Sequence, residues 1–148
     1  EQQVVFDERD YNERKLIDAV PKNGISRLYS IYQANLLKRQ YEKDNNFIYD
    51  VVVCTRYDFT FINPVAFEIA NPNKPGVYHP GGSPFNVCYA MGDSISMNQY
   101  AELYFNYDMM YRLGTVWVDE FLARDYLNHI GIAIYDFRVA SNLNRTDG

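Results

Sequence analysis

A chain of 148 residues that is 47% hydrophobic is long enough to bury the core of one domain and too apolar to be a disordered segment. Its net charge of −5, with Lys and Arg scattered along the sequence, excludes the clustered basic surface by which proteins displace counterions from nucleic acids. No apolar run reaches the roughly 18 residues of a membrane helix, and no cationic, apolar leader is present, so neither a membrane span nor a signal peptide is expected.

In chain order, Val4-Val5-Phe6 reads as a brief strand that leads into a charged loop. Asn23-Gly24 predicts a turn, with Ser26 as the N-cap of a helix over 26–44. Ile25, Leu28, Tyr29, Tyr32 and Leu36 recur at spacings of three and four, while Lys38, Arg39, Glu42 and Lys43 crowd the last turns. That is an amphipathic helix packed on a sheet, its cations near the negative end of the dipole and its end at Asn45-Asn46. The run over 47–53, with three consecutive valines, predicts a strand buried on both faces. It closes on Arg56 and Asp58, at the carboxyl end where ligands of open α/β sheets bind.

Residues 59–62 alternate and stop at Pro64, and Asn71-Pro72-Asn73-Lys74-Pro75-Gly76 predicts an exposed loop. Val77-Tyr78-His79 reads as a short strand, 80–84 as a second loop, and 85–91 as another compact strand. Gly92-Asp93-Ser94 caps a helix predicted over 95–112, with Gly114 closing it. A further helix is expected over 118–130, with Asp119 and Glu120 in its first turn and Gly131 at C′. Residues 132–139 alternate as a final strand, and 142–148 form a polar tail. The order predicts an α/β fold with a mixed sheet flanked by helices. No Gly-rich phosphate loop opens it.

Arg56 and Asp58 fall on the same side of a strand that continues through them. The carboxylate suits oxygen ligation of a divalent cation and the guanidinium suits a bidentate phosphate fork, but an ordinary salt bridge between neighbours reads equally well. Asp119 and Glu120 are first of all partners for a helix dipole, and a carboxylate there is also a candidate general base. The two histidines, His79 and His129, are isolated and do not make a metal site. Cys54 and Cys88 read as small hydrophobes of a reducing compartment or as a disulfide pair. The 14 tyrosines suit either packing or a sugar crevice, with packing preferred.

Several stretches, taken together, resemble one family. Leu28-Tyr29-Ser30-Ile31-Tyr32-Gln33-Ala34-Asn35, Tyr41-Glu42, and the run from Phe47 to Val53 closing on Arg56-Tyr57-Asp58 are similar to glycosyltransferases of large DNA viruses and bacterial surface-polysaccharide clusters. In these a "YSIYKANELKKEYE" helix feeds a "YDYVIRTRPDL" strand. The stretch 86–97 is similar to their "NDQFAYGSSEIM". Glu120-Phe121-Leu122, Tyr126-Leu127 and Gly131-Ile132 match the helix and strand that follow, and Arg145 with Gly148 matches the terminal "R-x-x-G".

The resemblance implies a GT-A fold lacking its first strands, with 1–148 as a single domain that forms the C-terminal part of a longer catalytic domain. The start at Glu1 rather than Met fits a processed protein or an excised piece. It implies a cytoplasmic enzyme that moves a sugar from a nucleotide-diphosphate donor to a glycan or other hydroxyl acceptor. Arg56, Asp58 and Asn86 would bind the donor, and Glu120 or Asp119 would be the base. Asp58 would hold Mg2+ or Mn2+ as the last carboxylate of the Asp-x-Asp motif, whose first Asp is here Arg56. Val87 stands where the family often has Asp. Both departures suit the alternative, a non-catalytic carbohydrate-binding or assembly module on the same fold.

Overall fold

The computed structural model describes residues 22–62, 64–81, 84–137 and 141–143; Val4-Val5-Phe6, Arg145 and Gly148 lie outside them. In chain order the elements are α1 (Lys22–Asn45), β1 (Val52–Thr55), β2 (Phe59–Phe61), a 3-10 turn (Phe67–Ile69), β3 (Val77–His79), β4 (Tyr89–Gly92), α2 (Ser94–Ala101), α3 (Leu103–Arg112), α4 (Asp119–His129), β5 (Ile134–Asp136) and β6 (Ser141–Leu143). The fold is α/β. Its four-stranded sheet has the order β1-β4-β3-β5, with β3 and β5 parallel and the other pairs antiparallel.

The sheet's two faces follow from the period-two alternation of its strands. Val52, Cys54, Val77, Ala90 and Ile134 face the helices, whose buried side supplies Leu28, Met97, Tyr100, Leu103, Leu122 and Leu127. Tyr78, Tyr89, Met91 and Tyr135 face the other way, onto Phe59, Phe61, Ile69 and Phe137. Helices therefore cover one face, and an antiparallel ribbon of β2 and β6 lies over the other. The ribbon takes in Ser141–Leu143, which overlaps the expected polar tail. Among the described residues, seven of 13 tyrosines are buried, which favours the packing reading of the tyrosine excess.

Several expectations change. The strand expected from Phe47 begins only at Val52, and among the described residues β1 is an edge strand with alternating burial rather than one buried on both faces. Phe47, Ile48 and Tyr49 are exposed because they form the link from α1, with the rings of Phe47 and Tyr49 4.7 Å apart. Helix α1 starts at Lys22, so Asn23-Gly24 is helical and Ser26 is not its N-cap; the Ser26 carbonyl accepts from the Ser30 hydroxyl. Its end is as expected: Asn46 takes φ 54°, and the Phe47 N–H returns to the Glu42 carbonyl.

The helix expected over 95–112 is two. At Glu102 the N–H is shared between the Asn98 and Gln99 carbonyls, a local tightening that separates α2 from α3 without proline or glycine. Asp93 is the N-cap of α2. Its Oδ1 accepts from the Ser96 N–H at 2.9 Å, and its Oδ2 accepts from the Gly76 N–H at 3.0 Å. Burial opposes ionisation of this carboxyl, but those hydrogen bonds hold it below its ordinary range. Gly92 has no alternative at its position, because a Cβ there would collide with the Gly76 carbonyl.

Helix α1 packs chiefly on α2 and α3 rather than on the sheet. Tyr32 meets the rings of Tyr104 and Phe105 at 5.7 and 4.5 Å. At its far end Glu42 is buried, its Oε1 accepting from the Ser94 hydroxyl at 2.6 Å and the Tyr49 N–H at 3.0 Å. Lys38 Nζ lies 3.3 Å from Oε2 and also contacts Ser94 Oγ. Burial opposes both charges. It keeps the Lys38 ammonium below its usual pKa, whereas the donors around Glu42 outweigh burial and pull that carboxyl down.

Removing the carboxylate strands a buried ammonium, so Glu42→Gln is expected to cost about 3 kcal/mol in denaturant unfolding. A loss below about 0.5 kcal/mol would mean that the cluster is not structural.

His79 is buried, accepts the Asn86 N–H at Nδ1 and donates from Nε2 to Asp136 Oδ1 at 2.7 Å. Burial pushes its pKa below 6.5, only partly offset by Asp136, so the neutral ring is the native form. Stability that depends on this neutrality is present above the unfolded pKa of about 6.5 and is lost as pH falls through the lower folded value. The melting temperature should therefore drop on acidification below about pH 6.5, before the carboxylates titrate, and His79→Gln should flatten that segment of the profile.

Candidate functional site

β1 ends at Thr55, and the ladder continues one residue further, where the Arg56 N–H donates to the Cys88 carbonyl at 2.9 Å. The chain then turns. The Phe59 N–H bonds back to the Arg56 carbonyl, so Tyr57 and Asp58 form the turn instead of continuing the strand. Across that turn Arg56 and Asp58 still meet, as a fork with Nε to Oδ1 at 2.8 Å and Nη2 to Oδ2 at 2.5 Å. The Arg56 side chain is 40% exposed and Asp58 17%. The carboxylate holds the guanidinium's pKa above its ordinary value. The geometry is that of the neighbouring salt bridge, partly solvated, just beyond the carboxyl end of β1.

Asn86 is close by but its polar groups are committed to the loop. Its Oδ1 accepts from the Cys88 N–H at 2.9 Å, its Nδ2 points to the Pro80 carbonyl at 3.5 Å, and its own N–H goes to His79. It shapes the turn that presents the Cys88 carbonyl to Arg56. Burial raises the Cys88 pKa, and its thiol also senses Arg56, Arg27, Asp58 and Glu120. Charges from α1, the β1 end and the start of α4 thus converge around this one turn. Cys54 and Cys88 are free cysteines, which removes the disulfide reading, and burial also keeps the Cys54 thiol protonated.

Asp119, one of the two expected bases, is held by Arg27. Nε donates to Oδ2 at 2.9 Å, and Nη2 lies 2.9 Å from the same oxygen but off the hydrogen-bonding direction. Arg27 Nη1 also donates to the Val87 carbonyl at 3.1 Å, tying α1 to the start of α4 and to the loop before β4. Glu120 is partly exposed one residue further on. Sequence reasoning missed Arg27. The available signal was its sign: a cation in the first turns of a helix opposes the dipole and needs a carboxylate partner.

Because α1 leans on α2 and α3, space remains between it and β1. The resulting cleft of about 710 Å³ is walled by Ile31 and Asn35 of α1 and by Val52 and Cys54 of β1, with Tyr100 of α2 as floor and Arg56 at one end. Its size lies in the range of small-molecule sites, roughly 300–1,000 Å³.

Asp58 supplies one carboxylate, both of whose oxygens face Arg56, and no group of three His, Cys, Asp or Glu that could hold a metal occurs among the described residues. No described helix is long and apolar enough to cross a membrane. Compared with models of known protein families and with curated proteins, the sequence matches none.

Since Arg27 and Asp119 are only 17% and 23% exposed, Arg27→Met should cost about 2 kcal/mol by leaving a carboxylate poorly solvated. Adding Asp119→Leu should recover part of that loss in a double-mutant cycle; strictly additive losses would show that the two side chains are not coupled.

Proposed function

We propose that this domain is a glycosyltransferase that moves a sugar from a nucleotide-diphosphate donor to a hydroxyl acceptor. The observation that carries the reading is the Arg56–Asp58 fork, partly exposed at the end of β1 and at one end of the cleft. Donor phosphate would compete with Asp58 for the Arg56 guanidinium, a planar donor set suited to phosphate. In transfer, the acceptor oxygen bonds to the anomeric carbon as the bond from that carbon to the phosphate oxygen breaks. The electron pair stays on the diphosphate, and Arg56 stabilises that charge. The acceptor proton passes to Glu120, since Asp119 is engaged by Arg27. Support for the family comes from the ordered motifs in α1, β1 and α4, and support for the site comes from the convergence of charge at the Cys88 turn.

A second reading, a carbohydrate-binding or assembly module without chemistry, is favoured by the commitment of Asn86 and Asp119 to scaffold contacts. Calorimetric titration with uridine and guanosine diphosphates in the presence of Mn2+ separates the two. Heat with either nucleotide supports the transferase, and no heat with both supports the module. On the transferase reading, Arg56→Met should lower transfer or donor hydrolysis by about 100-fold with folding intact, and unchanged turnover would remove Arg56 from the mechanism.

A further inference from the structure

β1 ends the four-stranded sheet, and among the described residues no strand lies beyond its outer edge. The Arg56 N–H donates to the Cys88 carbonyl, and in an antiparallel ladder alternate residues turn their backbone groups to the same neighbour. Val52 and Cys54 therefore also face β4, while Val51, Val53 and Thr55 turn N–H and C=O outward. The devices that normally protect such an edge are a charge, a proline or a bulge. Val51-Val52-Val53-Cys54-Thr55 has neither charge nor proline, and its register with β4 is unbroken from Val52 to Thr55.

Both sides of that edge have room for the side chains of an added strand. The cleft beneath α1 opens on the side of Val52 and Cys54, and a smaller hollow of about 380 Å³ lies on the other, walled by Val51, Val53 and Phe67. Alternate side chains of an incoming strand enter one and then the other. The surroundings are apolar as well. Val53 is 38% exposed and Tyr57 fully so, and Leu37 and Tyr41 stand out from α1, with the Tyr41 ring 6.4 Å from that of Tyr49.

The edge is complementary to itself. Run antiparallel against a second copy about Val53, it sets Val53 against Val53, Val51 against Thr55 and Asp50 against Arg56. Residues with outward backbone groups then meet one another, as a ladder requires, and the exposed Asp50 carboxylate of each copy faces the other's Arg56 guanidinium. The neighbouring registers that keep this match are worse: one sets Asp50 against Asp58, and the other leaves Arg56 opposite Ile48. We propose that the outer edge of β1 is a dimer interface, at which two copies join their sheets about a twofold axis through Val53. The proposal does not rest on the donor reading, since association is measured without nucleotide.

The test is analytical sedimentation of wild type, Val53→Pro, Asp50→Arg and Arg56→Glu, with thermal melts to establish folding. Wild type should form a dimer with a dissociation constant at or below about 100 µM. Val53→Pro removes an N–H that points away from β4, so it should fold as wild type does and remain monomeric up to about 1 mM. Asp50→Arg and Arg56→Glu each set like charges opposite one another at two places and should weaken the dimer at least about tenfold. Mixed together, they restore both opposite-charge pairs and should associate to within about threefold of wild type. Wild type that stays monomeric at about 1 mM overturns the proposal, and so does a dimer that Val53→Pro leaves intact. If the mixture associates no better than its components, the register through Val53 is wrong.

Discussion

The buried Glu42 carboxylate joins three segments that the rest of the structure is built around. It accepts from Ser94 at the start of α2 and from the Tyr49 N–H on the way to β1, and it holds Lys38 one turn earlier on its own helix. A carboxylate and an ammonium in so little water are stable only with donors and acceptors on every side, so the cluster leaves little freedom in how α1 meets α2. The tyrosine and phenylalanine contacts of α1 with α3 complete the same orientation. Seated on helices in this way, α1 stands beside β1 instead of covering it, and the cleft is the consequence.

A second set of contacts assembles the charged end of that cleft. Asn86 folds the loop before β4, the loop hands the Cys88 carbonyl to Arg56, and Arg27 reaches from α1 to the Val87 carbonyl and Asp119. Arg27 with Asp119 and Arg56 with Asp58 are already paired there. The free protein thus holds a set of balanced pairs, and the most solvated pair, Arg56 with Asp58, is where an incoming anion has least to displace. This distinguishes the residues that build the site, Arg27, Asn86 and Asp119, from those left to meet a ligand.

The helices and the principal strands were legible because their signals are local. Spacings of three and four marked the buried sides of α1 and α4, Asp93 announced an N-cap, and Asn46 and Gly131 take the left-handed conformation that ends a helix. The limits of such signals also show. Three valines in a row suggest burial on both faces, but β1 lies at the sheet's edge with Val53 38% exposed, since strand order is not encoded in any one strand. The break at Glu102 had no proline or glycine to announce it. Asp119 read as a dipole partner or a base, and its Arg27 partner, 92 positions away, had no local signal in either reading.

The sequence by itself determined the α/β class, the presence of most described elements and the end of a strand just before Arg56, because these depend on periodicity and on neighbours in the chain. Tertiary structure decided which charges are already paired and which face of the sheet the helices cover. Those properties come from contacts between segments far apart in sequence. A side chain's availability is set by what folding places next to it, and residue type and spacing do not carry that information.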